Sequence, residues 1–185
     1  MRVIAGKKGH LKLSAPSGMN TRPTTDRIKE TLFNILQNDV IDCSFLDLFS
    51  GSGQIGIEAL SRGARKACFV ESEKEAYNVI EKNLKSTGLL DDSVVLKQNV
   101  FDALNKLSNT TFDIVFMDPP YDANLEKDVL LSLVKNNIVD ENSLVIIEAN
   151  KNFDLNSVEN TGFTVTRAKI YKTNQHIFLK KREEL

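Results

Sequence analysis

Two unbroken apolar runs, Ile114-Val115-Phe116-Met117 and Leu144-Val145-Ile146-Ile147, stand out from an otherwise mixed chain. They are too continuously apolar for a one-faced sheet and read as inner strands of a parallel sheet covered on both sides. The runs predict strands over 112–117 and 144–148, joined by candidates over 45–49, 67–70 and 94–97. Between them, helical spacing predicts helices over 54–62, 73–86 (ending near Gly88), a short piece over 101–107, and 125–136. Such alternation predicts an α/β doubly wound, Rossmann-like fold. The end of the chain differs. Segments 163–171 and 176–180 are separated only by Lys172-Thr173-Asn174-Gln175. That connection is a hairpin, so a mostly parallel sheet of seven strands should finish with one antiparallel strand.

Upstream of the alternation, 2–6 and 11–15 read as short strands flanking a basic tip, Lys7-Lys8-Gly9-His10. Some 20 residues cannot bury a core of their own, so 1–20 is expected to be a β-hairpin extension of a domain over 21–185. Thr21-Arg22-Pro23-Thr24-Thr25-Asp26-Arg27 then opens a helix with candidate threonine caps and apolar Ile28, Leu32, Ile35 and Leu36. Arg22 and Arg27 at its polar start suit either phosphate binding or a solvated surface.

Composition narrows the class. A chain of 185 residues with 41% hydrophobic content and no low-complexity stretch fits one well-buried core. No apolar run approaches membrane-spanning length and the start has no apolar signal region, so a cytoplasmic location is expected, without membrane association. Cys43 and Cys68, flanked by apolar residues, read as reduced core thiols, and no Cys/His spacing suggests a metal. His10 and His176 read as a loop and a strand residue, and Tyr171 and Phe178 as hairpin packing. The net charge of -1 hides an asymmetry: +5 over 1–30, +4 over 165–185 and -10 between. A polyanion would meet the termini, unless these are simply scattered solvated lysines.

The candidate chemistry begins at Asp47-Leu48-Phe49-Ser50-Gly51-Ser52-Gly53-Gln54-Ile55-Gly56, a predicted strand-to-helix turn. Glycines there permit a sharp turn and close approach of a ligand to bare backbone. Gly51-x-Gly53-x-x-Gly56 alone matches a dinucleotide fingerprint, but Asp47 at the strand end would repel a pyrophosphate and attract a cationic amino group. S-adenosylmethionine (SAM) carries both an ammonium and a sulfonium. Glu71, ending the next predicted strand, is placed to accept hydrogen bonds from ribose hydroxyls. The plainer reading of Asp47 is a carboxylate that caps a turn.

A second site follows the apolar run ending at Met117: Asp118-Pro119-Pro120-Tyr121. The prolines remove two backbone donors, leaving a carboxylate, carbonyls and an aromatic face. This set suits a planar exocyclic amine, whose N–H groups Asp118 and the Pro119 carbonyl would accept while Tyr121 stacks on the base. No metal or covalent intermediate is required, and a target base inside a nucleic acid must be accessible or flipped.

These two motifs, with the upstream run from Asn20 to Asn34, resemble the RsmD family, bacterial methyltransferases of the 16S rRNA guanine N2 amine. The resemblance implies SAM as cofactor, with Asp47, Phe49, Gly51, Gly53, Glu71, Asn99, Val100 and Asp118 on its positions. It places Asp118, Pro119, Pro120 and Tyr121 on the catalytic motif. Arg22, Thr24 and Arg27 fall on a segment closing over the site, with Lys7, Lys8 and Tyr121 toward the RNA. The implied partner is 16S rRNA in an assembled small subunit, met by a monomer. This chain has Gly9-His10-Leu11 where the family usually carries a more basic run. The Asp-Pro-Pro-Tyr motif also resembles that of adenine-N6 DNA methyltransferases, although only about 20 residues remain for a target-recognition domain. Three further classes compete with these two: a protein-glutamine methyltransferase, which favours Asn at position 118, an NAD-dependent oxidoreductase, and a non-catalytic SAM-binding RNA module.

Overall fold

In the computed structural model the described residues are 1–16, 25–120 and 124–182, so expectations resting on Arg22, Thr24 and Tyr121 lie outside them. Seven strands form one sheet: β1 (Ser44–Leu48), β2 (Lys66–Val70), β3 (Ser93–Leu96), β4 (Ile114–Met117), β5 (Leu144–Asn150), β6 (Phe163–Ile170) and β7 (Asn174–Lys181). Their order is β3-β2-β1-β4-β5-β7-β6. The first five are parallel, and β7 inserts antiparallel between β5 and β6, as the helix-free connection requires. Five helices complete the fold: α1 (Asp26–Ile35), α2 (Gln54–Ser61), α3 (Lys74–Thr87), α4 (Val100–Lys106) and α5 (Glu126–Lys135). All appear where the periodicity predicts them, with ends shifted by a residue or two.

Alternation along the strands sends side chains to two separate cores. Leu46, Leu48, Val115, Met117, Val145 and Ile147 pack with Leu104, Leu130 and Leu133 of α4 and α5. Phe45, Ile114, Phe116, Ile146 and Phe178 pack with Leu32 and Phe33 of α1, Ile57 of α2 and Ile80 of α3. Local signals set the helix ends. The Thr25 hydroxyl accepts from the Ile28 N–H at 3.4 Å to start α1, and Gly88, at φ +65°, closes α3 in the left-handed conformation.

The N-terminal segment turns back on itself as the expected antiparallel hairpin, in a short form. Arg2 bridges Lys12, the Val3 N–H donates to the Leu11 carbonyl at 2.9 Å, the His10 N–H to the Val3 carbonyl at 2.9 Å and the Leu13 N–H to the Met1 carbonyl at 3.1 Å. Beyond Val3, backbone donors go to α2. The Glu58 carboxylate accepts from the Ile4 and Ala5 N–H groups at 2.7 and 3.0 Å, and the Lys7 N–H donates to the Ser61 carbonyl at 2.7 Å. Glu58 and Lys29 are both fully buried and lie 3.5 Å apart, and the Lys29 ammonium also donates to the Arg2 carbonyl at 2.6 Å. Burial pushes the Lys29 pKa down and Glu58 pulls it back. Arg62 completes the group at 2.8 Å from Glu58, its guanidinium over the Phe33 ring. Val3 and Leu13 belong to the same core as α1 and α2, so the segment is part of the domain's packing.

Two substitutions test this account. Glu58→Ala strands the Lys29 charge and should cost about 3–5 kcal/mol of stability in urea unfolding. Gly56→Ala would set a methyl 2.3 Å from the Phe69 ring; α2 must then lift from β2, at about 1–3 kcal/mol in the same measurement.

Candidate active site

The carboxyl ends of the parallel strands line up in register. Leu48 pairs with Met117, and Met117 with Ile147, so the residues that follow these positions emerge at one edge of the sheet. Doubly wound folds bind ligands at this edge, where neighbouring strand connections part to opposite faces. Here the parting lies between β1, which leads to α2, and β4, which leads to α5.

The loop from β1 to α2 is held in shape by its own polar groups. The Ser50 hydroxyl donates to the Asp47 carbonyl at 2.6 Å and accepts from the Val70 N–H at 3.0 Å, tying β1 to β2. Phe49, Gly51 and Gly53 take φ values of +60°, +56° and +75°. Such a value in a phenylalanine is backbone strain of the kind found at ligand sites. A side chain added at Gly51 would meet no protein atom within 4 Å, so its bare backbone faces open space. Buried Asn83 of α3 anchors the loop by donating to the Ser52 and Ser14 carbonyls at 2.9 and 3.1 Å.

Asp47 is buried, and its Oδ2 accepts from the Gly56 N–H at 2.9 Å in the first turn of α2. The capping role that the sequence offered as the plainer reading is therefore real. It also leaves the carboxyl under strain: burial pushes its pKa up to about 8, the Gly56 N–H opposes this and Glu71 adds to it. Glu71 accepts from the Gly51 N–H at 2.8 Å and the Glu73 N–H at 2.9 Å. These bonds fix a carboxylate that has about four acceptor positions, so they are compatible with ribose hydroxyls as further donors. Asn99 is the N-cap of α4, accepting from the Asp102 N–H at 3.0 Å and donating to the Asp102 carboxylate at 2.6 Å. Val100 beside it is buried. The sequence reading missed Gln54 and Gln98, whose amide oxygens are buried without hydrogen-bond partners. A cationic, donor-rich ligand such as SAM fits this lining of open glycine backbone, buried carboxyl and orphaned acceptors.

Asp118 follows β4 at the same edge, with Pro119 buried and Pro120 exposed. Burial holds the Asp118 carboxyl well above its usual range, and the charges of Glu148 and then Asp47 add to the effect. Glu148 and its partners are a second omission of the sequence reading. Buried Glu148 on β5 accepts from the Asn174 amide at 2.5 Å and lies 3.1 Å from Nε2 of fully buried His176. His176 Nδ1 is 3.2 Å from the Tyr171 hydroxyl, whose pKa burial and Glu148 push up to about 12. No spacing rule connects these residues; the β5–β7 register pairs Glu148 with His176.

Other predicted residues are not brought together with this edge. Lys7 and Lys8 bind through their backbone N–H groups to Ser61, at the last residue of α2. Helix α2 starts at the glycine loop and runs away from it for eight residues, about 12 Å of rise. Arg27 is exposed in the first turn of α1. Among the described residues no helix is long and apolar enough to cross a membrane.

The fold and this edge define a SAM-dependent methyltransferase. A family model described as "Conserved hypothetical protein 95" matches residues 1–180. The chain is 39% identical to a Haemophilus influenzae protein named Ribosomal RNA small subunit methyltransferase D, over 86% of this chain and 84% of that one. It is 35% identical to the putative rRNA methyltransferase YlbH of Bacillus subtilis, over 98% and 100% of the two chains. The solved structure of the putative methyltransferase yhhF from Escherichia coli superposes with a TM-score of 0.87 at 31% identity, covering 100% of this chain and 99% of that one. The chain belongs to this family, the RsmD family.

Asp47 gives a paired prediction. A folded-state pKa near 8 against 3.8 means that stability from this group is present at low pH and lost as pH rises between those values. Asp47→Asn, uncharged throughout, should therefore unfold about 1–3 kcal/mol later than the parent at pH 8, with the gap closing toward pH 4. In calorimetric titration the same variant should bind SAM roughly 10- to 100-fold more weakly, having lost a charge-assisted contact.

Proposed function

We propose that this protein transfers a methyl group from SAM to the exocyclic N2 amine of a guanine in 16S rRNA, and that its substrate is the assembled small subunit. The observation that carries the reading is the shared edge. Asp118 and Pro119 follow β4 immediately beside the glycine loop of β1, in a setting of acceptors with few donors.

Asp47, Phe49, Gly51, Gly53, Glu71, Asn99 and Val100 would hold SAM, which when bound supplies an electrophilic methyl on a sulfonium sulfur. The amine to be methylated is a poor nucleophile because its lone pair is delocalised into the ring. Asp118 and the Pro119 carbonyl accept its two N–H bonds, favour a pyramidal nitrogen and aim the lone pair along the line of displacement. The cofactor would supply the methyl and take the electron pair of the broken carbon–sulfur bond on its sulfur, while the Asp118 carboxylate would take the surplus N2 proton of the methylated amine. Alignment and acceptance of a proton are all the step needs, so no metal is required. Tyr121, Arg22, Thr24 and Arg27 are assigned to the target base and its flanking phosphates. The protein acts in the cytoplasm as a monomer, reading chiefly the shape of a ribonucleoprotein because its basic patches are small.

The test uses labelled SAM and small subunits from cells lacking this methylation, followed by nucleoside mass spectrometry. N2-methylguanosine is expected, falling about 100- to 1000-fold in rate with Asp118→Ala; N6-methyladenine on DNA would instead favour the adenine reading. Because Asp118 must be ionised to accept the proton and burial holds its pKa above the usual carboxylate range, the parent's turnover should keep climbing with pH beyond the range in which an ordinary carboxylate titrates. A flat profile under single-turnover conditions would contradict this role.

A further inference from the structure

Asp-Pro-Pro-Tyr holds an amine but does not say which base carries it. Adenine N6 and guanine N2 are both amines on a planar ring; they differ at the neighbouring ring nitrogen. In guanine, N1 carries a hydrogen and donates. In adenine, N1 carries a lone pair and accepts. A residue beside Asp118 that presents only acceptors would separate the two.

Glu148 is in that position. The Met117–Ile147 pairing makes Asp118 and Glu148 the next residues along adjacent parallel strands, about 5 Å apart in backbone. Alternation puts Asp118 on the face of Phe116 and Glu148 on the face of Ile146, and both faces belong to one core. Of the charges acting on Asp118, that of Glu148 is the largest.

The surroundings of Glu148 also fix its hydrogen-bonding character. Asn174 donates to Oε1. An ionised Glu148 accepts at Oε2 from the Nε2–H of His176, and in that neutral tautomer Nδ1 is the acceptor for the Tyr171 hydroxyl. Every member of the chain thus directs its donors toward Glu148, and the carboxylate is held as an acceptor in a fixed orientation. The Asn174 amide oxygen, turned away from that bond, is buried and has no hydrogen-bond partner. Among the described residues, then, the cluster holds one buried acceptor, the Asn174 amide oxygen, with no donor to meet it. An edge with adjacent N–H groups supplies a donor; an edge with a lone pair adds a further acceptor.

We propose that Glu148, oriented by Asn174 and His176, accepts the N1–H of the target base and so selects guanine over adenine. The inference rests on the guanine-N2 reading above and assigns its base specificity to a residue outside the Asp-Pro-Pro-Tyr motif.

The experiment compares subunits carrying the natural guanine with subunits in which 2-aminopurine replaces it, introduced by splint ligation. 2-Aminopurine keeps the 2-amino group, exchanges the N1–H for a lone pair and loses O6; only the change at N1 can be offset by Glu148→Gln, so the ratio in that variant separates the two. The parent enzyme should lose roughly 10- to 100-fold in kcat/KM on the analogue. Glu148→Gln can turn its amide N–H toward that lone pair, so the ratio between the two substrates should shrink to about threefold or less. A purely structural role for Glu148 would lower both rates together and leave the ratio intact, which overturns the proposal. So does a parent enzyme that methylates both equally, and this second arm stands even where Glu148→Gln no longer binds SAM. Mass spectrometry of the parent's product separates the two levels. N2-methylguanosine with an unchanged ratio removes only the role of Glu148, whereas its absence removes the guanine reading and this inference with it.

Discussion

The hydrogen bond from the Gly56 N–H to the buried Asp47 carboxyl joins the end of β1 to the first turn of α2 across the glycine loop. It is made in a place where a carboxylate is poorly solvated, and the carboxyl's pKa of about 8 records the tension. The rest of the edge is built around keeping that group in position. Ser50 and Glu71 brace the loop toward β2, Asn83 braces it toward α3 and the N-terminal segment, and Gly56 lets α2 lie directly on the Phe69 ring. A charge that is uncomfortable without a cation makes a site selective for a cationic ligand, because binding relieves the cost of burial.

The same logic extends along the sheet. Asp47 lies on β1, Asp118 follows β4 and Glu148 lies on β5, all on the side packed by α1, α2 and α3. Burial and the neighbouring acids raise the energy of ionising Asp118 and Asp47. Among the described residues the fully buried lysine, Lys29, is occupied elsewhere: it pairs with Glu58 of α2, where it locks the N-terminal segment to α1 and α2. An acidic edge that this lysine does not reach favours donors and positive charge in a bound ligand. This is the physical setting that methyl transfer from a sulfonium to an amine calls for.

Much of this was legible from the chain. The apolar tetrads located the inner strands because a parallel strand buried on both faces cannot alternate. The glycine loop was legible because a strand-to-helix turn with positive φ admits few residue types, and Asp118-Pro119-Pro120 because prolines at a strand end leave little else for the backbone to do. The N-terminal hairpin was legible as a turn-back of the chain, but short-range pattern cannot reveal that Glu58 and Ser61, more than fifty residues away, take the backbone N–H groups of its tip side. Asn99, which the resemblance assigned to the cofactor site, has its side chain engaged as the N-cap of α4, a role its sequence position alone did not announce.

What the chain carries locally is the alternation of strands and helices, the glycine loop with its buried acid, and the acidic, proline-rich turn after β4. Periodicity, backbone sterics and the neighbours within a turn are enough to set these. Which distant groups share the edge is settled only when the sheet assembles. Inserting β7 between β5 and β6 pairs Glu148 with His176, draws in Asn174 and Tyr171, and sets the whole cluster beside Asp118. Strand register is fixed by the collective burial of two faces and not by any residue's own preference, so a histidine and a tyrosine that look like ordinary strand residues acquire their partners only in the folded sheet.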